Sequence, residues 1–249
     1  MVSTNIKTPA EIANIKKSGE ILTLVLDKLV SEAKPGVKIT DLDKLAAEET
    51  RRLGGEPAFL GYQGFPANLC VSVNNEIVHA IPTDKKLQNG DLVGIDYGVI
   101  YQGMITDAAR TVSMGKPSPD AQKLITGCFE AMQAAIDIIK SGVKVGDISA
   151  TIEERLNHHG LKVIYSLTGH GVGHQLHEDP IIANYGQAGT GEVLKAGMTI
   201  AIEPIAAIGT HDLYLADDDW TYMTRDGSLA AQFENTLLIT QDGCEVIAS

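Results

Sequence analysis

Residues 34–54 read KPGVKITDLDKLAAEETRRLG and residues 140–160 read KSGVKVGDISATIEERLNHHG; without gaps they share Lys, Gly, Val, Lys, Asp, Glu and Gly. A chain that repeats itself in this way is constrained to build one supersecondary unit twice and to bury the copies together. Each copy follows a long amphipathic helical pattern. The first such helix opens at Thr8-Pro9-Ala10-Glu11, a capping box with proline at the first helical position, and the second at Ser118-Pro119. Each ends near a glycine, and each shared block then predicts a second helix, capped by Asp41 or Asp147. Further on, NGDLVGID ends at Asp96 and KAGMTIAIE ends at Glu203, both with a glycine six residues before the acid. A chance match between two helix–turn–helix segments competes with this reading. The preferred one is a single α+β domain over 1–249, with related halves at roughly 1–115 and 116–249 about a pseudo-twofold axis. Each half is helix–helix then strands, and a site is expected where the halves meet.

Several function classes are excluded early. A net charge of −12 is opposite to the clustered Lys and Arg that track nucleic-acid phosphates. Cys70, Cys128 and Cys244 are too few and too scattered for a disulfide framework, and no pair has the CxxC spacing of a zinc clip. The start, MVSTNIKTPAEI, has no apolar leader segment, and no apolar run approaches the ~18 residues that span a bilayer. The expected setting is the cytoplasm, with reduced thiols.

The chemistry lies in four acids embedded in strand-like sequence. DLVGIDYGVI (91–100) and MITDAARTVS (104–113) read as a hairpin. With the turn centred on Tyr101-Gln102, Asp96 falls directly opposite Asp107, with Cβ atoms ~5 Å apart. Like charges at that separation repel, so either one carboxyl keeps a proton, a cation sits between them, or both face solvent. Glu203 in MTIAIEP and Glu234 in LAAQFENTLLIT sit among apolar residues too. Four such carboxylates put a charge near −4 into a core, which divalent cations neutralise. One histidine added to four carboxylates suits two metals ~3.5–4 Å apart that share bridging carboxylates, an arrangement that activates water.

The segment TGHGVGHQLHEDP places His170, His174 and His177 at i, i+4 and i+7, which would align them on a helix. Gly171 and Gly173 cost that helix roughly 2 kcal/mol. An extended, glycine-kinked segment is expected instead, in which at most one or two of the three can reach a given ion. His79, in NNEIVHAIP, has the surroundings of a core histidine, and His158, His159 and His211 are read as surface residues.

GIDYGVIYQGMITDAA, TGHGVGHQLHEDP, TIAIEP and AQFENT together resemble the type I methionine aminopeptidases, metallohydrolases of the pita-bread fold, and the resemblance runs essentially end to end. It implies an α+β fold of two pseudo-symmetric halves with a central antiparallel sheet flanked by helices. It implies that Asp96, Asp107, His170, Glu203 and Glu234 hold two divalent ions (Co, Mn, Fe or Zn), with Asp107 and Glu234 bridging and Asp96 chelating one ion. A metal-bridging hydroxide would attack the first peptide carbonyl, with Glu203 doubling as proton shuttle. His79 and His177 would hold the substrate and stabilise the tetrahedral intermediate. Phe59, Tyr62, Phe65, Cys70, Leu176 and Trp220 would wall a pocket for methionine, whose thioether suits apolar, polarizable surroundings.

The resemblance has small departures: Ala80 stands where glycine is expected, with an expected slight effect on His79, and Leu167 where an aromatic or Met is usual. The lack of a zinc-finger extension and of a large insertion in the second half favours the short type I form. The implied partners are peptide and nascent-chain N-termini with a small second residue; the acidic surface offers no docking patch for ribosomal RNA, so any ribosome association is expected to be transient. A monomer is expected, with no membrane or nucleic-acid partner. An Xaa-Pro peptidase of the same fold and a non-catalytic pita-bread binding protein are the alternatives; intact acids and histidine at all five positions count against the second.

Overall fold

A computed structural model describes residues 6–249. Met1–Asn5, part of the stretch read above as lacking an apolar leader, lie outside the described residues. Helix α1 spans Pro9–Glu32 and starts as its sequence dictates. The Thr8 hydroxyl accepts the Glu11 N–H, and the Glu11 carboxylate accepts the Thr8 N–H at 2.7 Å. Helix α3 spans Pro119–Ile138 and repeats the device, with the Ser118 hydroxyl accepting the Ala121 N–H.

The second helix of each half, α2 (Ile39–Arg52) and α4 (Val145–His158), begins differently from the expectation. Asp41 and Asp147 are not N-caps; they are the third helical residues, and Lys38 and Lys144 stand at the caps. The reason is that the first amides already have partners. Ile39 and Thr40 N–H groups donate to the carbonyls of Lys85 and Thr83, and Val145 and Gly146 N–H groups to those of Glu192 and Thr190. Asp147 instead accepts the Lys144 N–H at 3.0 Å and the Gly189 N–H at 2.7 Å.

The shared blocks also match hydrogen bond for hydrogen bond. Gly36 (φ 93°) donates to Leu87 and Gly142 (φ 96°) to Leu194, while Leu87 and Leu194 donate back to Val37 and Val143. Gly90 (φ 94°) and Gly197 (φ 90°) turn the chain into the strands that carry Asp96 and lead to Glu203. These positive φ values are what fix glycine at all four places.

In the first half, strand Leu92–Tyr101 pairs with Glu56–Pro57, Cys70–Val73 and Met104–Ser113. In the second half a five-stranded sheet runs in the order Cys244–Ala248, Asn235–Ile239, Thr199–Ile202, Thr168–Gly171, Glu178–Ala183. Helices α1 and α2 cover the first set, through Leu22, Leu26, Leu42 and Ala46 against Val71, Val93 and Ile95. Helices α3 and α4 cover the second, through Leu124, Ile148 and Ile152 against Ile200, Ile202 and Leu237. Among the described residues, no helix is long and apolar enough to cross a membrane.

The hairpin register corrects one expectation. Asp107 lies opposite Gly98, and Asp96 opposite Ala109, because the turn is Gln102-Gly103 (φ 49° and 77°) rather than Tyr101-Gln102. A two-residue hairpin turn of this hand needs positive φ at both positions, which glycine adopts freely and the bulky Tyr101 does not. The shift keeps both acids on one face but sets them on a diagonal.

The two sheets meet along a seam with its own internal symmetry. Ala109 and Glu234 exchange backbone hydrogen bonds. On one side the Thr236 hydroxyl accepts the Asp107 N–H (2.9 Å) and donates to the Asp107 carbonyl (2.7 Å). On the other, the Thr111 hydroxyl does the same for Gln232 (3.1 and 2.6 Å). Each half thus offers a threonine to the other. Both are buried, so Thr236→Val should strand a buried amide and carbonyl and cost about 1–3 kcal/mol in urea unfolding; a loss below experimental error would refute this account of the seam.

Candidate metal centre and pocket

All thirteen residues singled out in the sequence line one cavity of about 240 Å³ at the seam. Asp96 is mid-strand in Leu92–Tyr101, Asp107 in Met104–Ser113 and His170 in Thr168–Gly171. Glu203 follows Thr199–Ile202, and Glu234 sits between Ala230–Gln232 and Asn235–Ile239. Candidate ligand atoms of Asp107, His170 and Glu234 lie within 4.8 Å of one another. His170 Nε2 is 3.5 Å from Glu203 and 3.9 Å from Glu234. Asp96 and Asp107 are close enough for each to shift the titration of the other.

The electrostatics are those of a site built for positive charge. Burial pushes Asp96 up to about 7. Burial, then the neighbouring carboxylates, holds Asp107, Glu203 and Glu234 well above the usual carboxylate range. Asp96 Oδ1, Asp107 Oδ1 and Glu234 Oε1 are buried without a hydrogen-bond partner. The Gln232 amide is a neutral donor at the centre, 3.4 Å from both Glu203 and Glu234. Burial lowers His170 to about 3, so its ring is neutral. Its Nδ1 lies 2.8 Å from the Gly171 carbonyl, which can only accept, so Nδ1 carries the proton and Nε2 turns a lone pair toward the glutamates. A lone pair facing carboxylates is repulsive until a cation lies between them. Oxygen donors plus one imidazole fit a hard or borderline divalent ion, and the orphaned oxygens supply the open valences.

The histidines divide by environment. His177 is within 4.4 Å of His170 ring to ring, and its Nδ1 is 2.8 Å from the Tyr62 hydroxyl. His79 is lowered to about 4, chiefly by burial, and holds φ at 58°, a strained conformation for a residue with a Cβ. The strain lies on His79 itself and not on the following Ala80, which is buried. His174 points away from the cavity to Glu11, 2.7 Å from it. His158, His159 and His211 do not line the cavity. Leu167 packs with Ile164 and Ile205 beneath the site.

The wall is aromatic and sulfur-bearing. Phe65 meets Trp220 edge-on at 5.1 Å and Phe59 at 6.5 Å. Phe59 occupies the space that a side chain at Gly98 would need, which explains a glycine between two acid-bearing positions. Cys70 pairs with Asp96 in register, and burial keeps its thiol protonated, so it is wall and not nucleophile. In the acidic loop, Asp218 accepts the Trp220 and Thr221 N–H groups and the Thr221 hydroxyl, so that acid shapes the turn that presents Trp220. Sequence reasoning missed two lining residues, Gln63 and Gln232. Gln232 was findable, two residues from Glu234 along one strand direction. Gln63, at φ 50° between Gly61 and Gly64, carries no chemical signal.

The model of metallopeptidase family M24 matches residues 13–241. The methionine aminopeptidase of Clostridium acetobutylicum is 40% identical over 97% of each chain. A crystal structure of methionine aminopeptidase from Thermotoga maritima superposes with a TM-score of 0.97 at 42% identity, covering 100% of both chains. The prolidase from Pyrococcus furiosus shares the fold at a TM-score of 0.81 and 25% identity, with 99% of this chain matching 66% of that one.

Proposed function

Because the chain belongs to metallopeptidase family M24, and within it to the pita-bread-fold methionine aminopeptidases, we propose which of its residues carry metal-dependent removal of an N-terminal methionine. The observation that carries the assignment is the set of orphaned oxygens on Asp96, Asp107 and Glu234 in one cavity, those of Asp107 and Glu234 grouped with His170. Asp96, Asp107, His170, Glu203 and Glu234 would hold the divalent ions. Bound there, the ions supply Lewis acidity and activated water.

The remaining work falls to the chain. Glu203, whose carboxyl burial favours in its protonated form, takes and returns the proton of the attacking water. His177, with Nδ1 accepting from Tyr62, keeps a proton on Nε2 to donate to the peptide carbonyl oxygen as charge develops there. His79, neutral at working pH, donates to the peptide on the opposite side. Phe59, Tyr62, Phe65, Cys70, Leu176 and Trp220 enclose the methionine side chain, and water exclusion by these walls strengthens each polar contact.

We read residues 1–249 as one catalytic domain with halves at 1–115 and 116–249, supported by the matched turns at Gly36 and Gly142. The favoured substrates are peptide and nascent-chain N-termini with a small second residue. The chain acts as a monomer in the cytoplasm, where three free thiols stay reduced, and its charge of −12 makes any ribosome contact transient.

The test is metal content combined with cleavage of a Met-Ala-Ser peptide, before and after chelation, with an Xaa-Pro peptide as comparison. Loss of cleavage on chelation and recovery with Mn²⁺ is expected; preference for Xaa-Pro would overturn the substrate assignment. His170→Ala should lose metal affinity. His177→Ala should retain metal and lose about 10²-fold in turnover. Equal metal loss in the two variants would show that the histidines are wrongly sorted.

A further inference from the structure

Lys7 and Glu178 take no part in the centre described above, yet their side chains are 0% and 1% exposed and pair at 2.8 Å. They join parts of the chain 171 residues apart. Lys7 comes from the segment that precedes α1, where its own N–H donates to the Gly197 carbonyl at 2.9 Å. Its alkyl chain passes under Gly173: a Cβ there would strike Lys7 Cε and stand 2.9 Å from Nζ. Glu178 opens strand Glu178–Ala183, directly after His177. While Oε2 takes Lys7, Oε1 accepts the His174 N–H at 2.6 Å and the Gln175 N–H at 3.0 Å.

These two amides belong to the loop 172–177, which carries Leu176 and His177 into the cavity. The loop has few other anchors. Val172 donates to Thr199 and accepts from its hydroxyl, and Gly173 donates to Gln175 and accepts from Ile105 at 2.7 Å. Among the described residues, nothing else accepts the amides of residues 174 and 175. A single carboxylate oxygen satisfies both, and a carboxylate buried this deeply needs a cation against it. A buried ion pair taken by itself is often no more stabilising than an apolar pair of the same volume, so what accounts for the charges here is the two amides that the carboxylate holds. Elsewhere on the same loop His174 meets Glu11 in solvent, and the Tyr62 hydroxyl lies 2.8 Å from the His177 ring.

We propose that Lys7 and Glu178 form a positioning pair: the lysine neutralises a carboxylate that clamps the His174 and Gln175 amides, and the clamp fixes the next residue but one, His177, against the peptide. The segment that precedes α1 thereby sets the geometry of the substrate-side histidine. This rests on the assignment of His177 to the substrate.

The experiment uses the full chain with Mn²⁺ as the probe metal. Lys7→Met combined with Glu178→Met removes both charges and the acceptor at nearly constant volume. Amide exchange at His174 and Gln175 should rise about 10-fold or more, and kcat for Met-Ala-Ser should fall about 10-fold or more while the calorimetric Mn²⁺ Kd stays within about twofold. In a His177→Ala background the same pair of changes should have almost no further effect on turnover. Lys7→Met with Glu178→Gln keeps an acceptor without charge and should restore most of the turnover; it also serves if the double-Met chain fails to fold. Unchanged amide exchange, a Mn²⁺ Kd that weakens in step with activity, or an equal loss in the His177→Ala background would each overturn the proposal. If His177→Ala alone keeps full turnover, the substrate role of His177 falls and the catalytic half of this proposal with it, while amide exchange still reports the clamp.

Discussion

Asp107→Asn is expected to lose about 10³-fold or more in turnover, as several kcal/mol of transition-state stabilisation disappear with the ions, and yet to raise the melting temperature of the metal-free protein. The two effects share a cause. Asp107 is buried, its backbone N–H and carbonyl are already paired with Thr236, and its Oδ1 has no partner. Burial, Asp96 and Glu203 all disfavour its ionised form. An amide in the same space carries no charge to repel them and can donate a hydrogen bond to a neighbouring carboxylate. A gain of about 1–2 kcal/mol would appear as a rise of about 2–8 °C. Metal should reverse the order: the wild type gains stability with ion concentration and the variant does not. Thermal melts of both proteins, with chelator and with Mn²⁺, check this. A metal-free variant that melts below the wild type would mean that the carboxylates do not strain the empty cluster.

The second large effect is on pH. Asp96 is raised to about 7, and Asp107, Glu203 and Glu234 are raised as well, all first by burial. Above pH ~4 the unfolded chain has released protons that the folded, metal-free protein still holds, so these acids contribute stability that is lost as pH rises through their folded pKa values. His170 and His79, lowered to about 3 and about 4 by burial, act in the opposite sense. The unfolded chain binds their protons below pH ~6.5, so their contribution is lost as pH falls from there. Between about 4 and 6.5 the two sets oppose each other; above 6.5 only the acids titrate. Because four acids oppose two histidines, the metal-free protein should lose stability as pH rises above ~4.5, and go on losing it through about pH 7 where Asp96 releases its proton, while Mn²⁺-loaded protein should not, because its ligands are held deprotonated. Apparent Mn²⁺ affinity should climb over the same range. Melting temperatures across pH, with and without chelator, measure both, and a metal-free profile that rises from 7 to 9 would sink the prediction.

Much of the fold was legible because the signals are local. Thr8 and Ser118 cap α1 and α3 through bonds within three residues, and Gly36 and Gly142 mark turns that require positive φ. The misreadings have physical explanations, one local and one not. Tyr101-Gln102 and Gln102-Gly103 are both two-residue frames for the same hairpin, and only the tolerance of positive φ separates them. Asp41 and Asp147 look like caps from the sequence because loops more than 40 residues away, which supply the carbonyls that replace caps, are not visible in it.

By itself the sequence determined the donor set: four acids in apolar strand patterns, one glycine-kinked segment with three histidines, and two copies of a helix pair. Alternation along a strand and hydrophobic period set which residues face inward, and these depend only on neighbours. What the tertiary structure decided is which way those histidines turn. His170 faces the carboxylates because Gly171 takes its other proton, and His177 faces the cavity beside Tyr62. His174 turns outward while its backbone is held by Glu178 and, through it, by Lys7. Burial and pairing across 171 residues accompany these orientations, and a low-dielectric contact between distant segments exists only once the chain has folded.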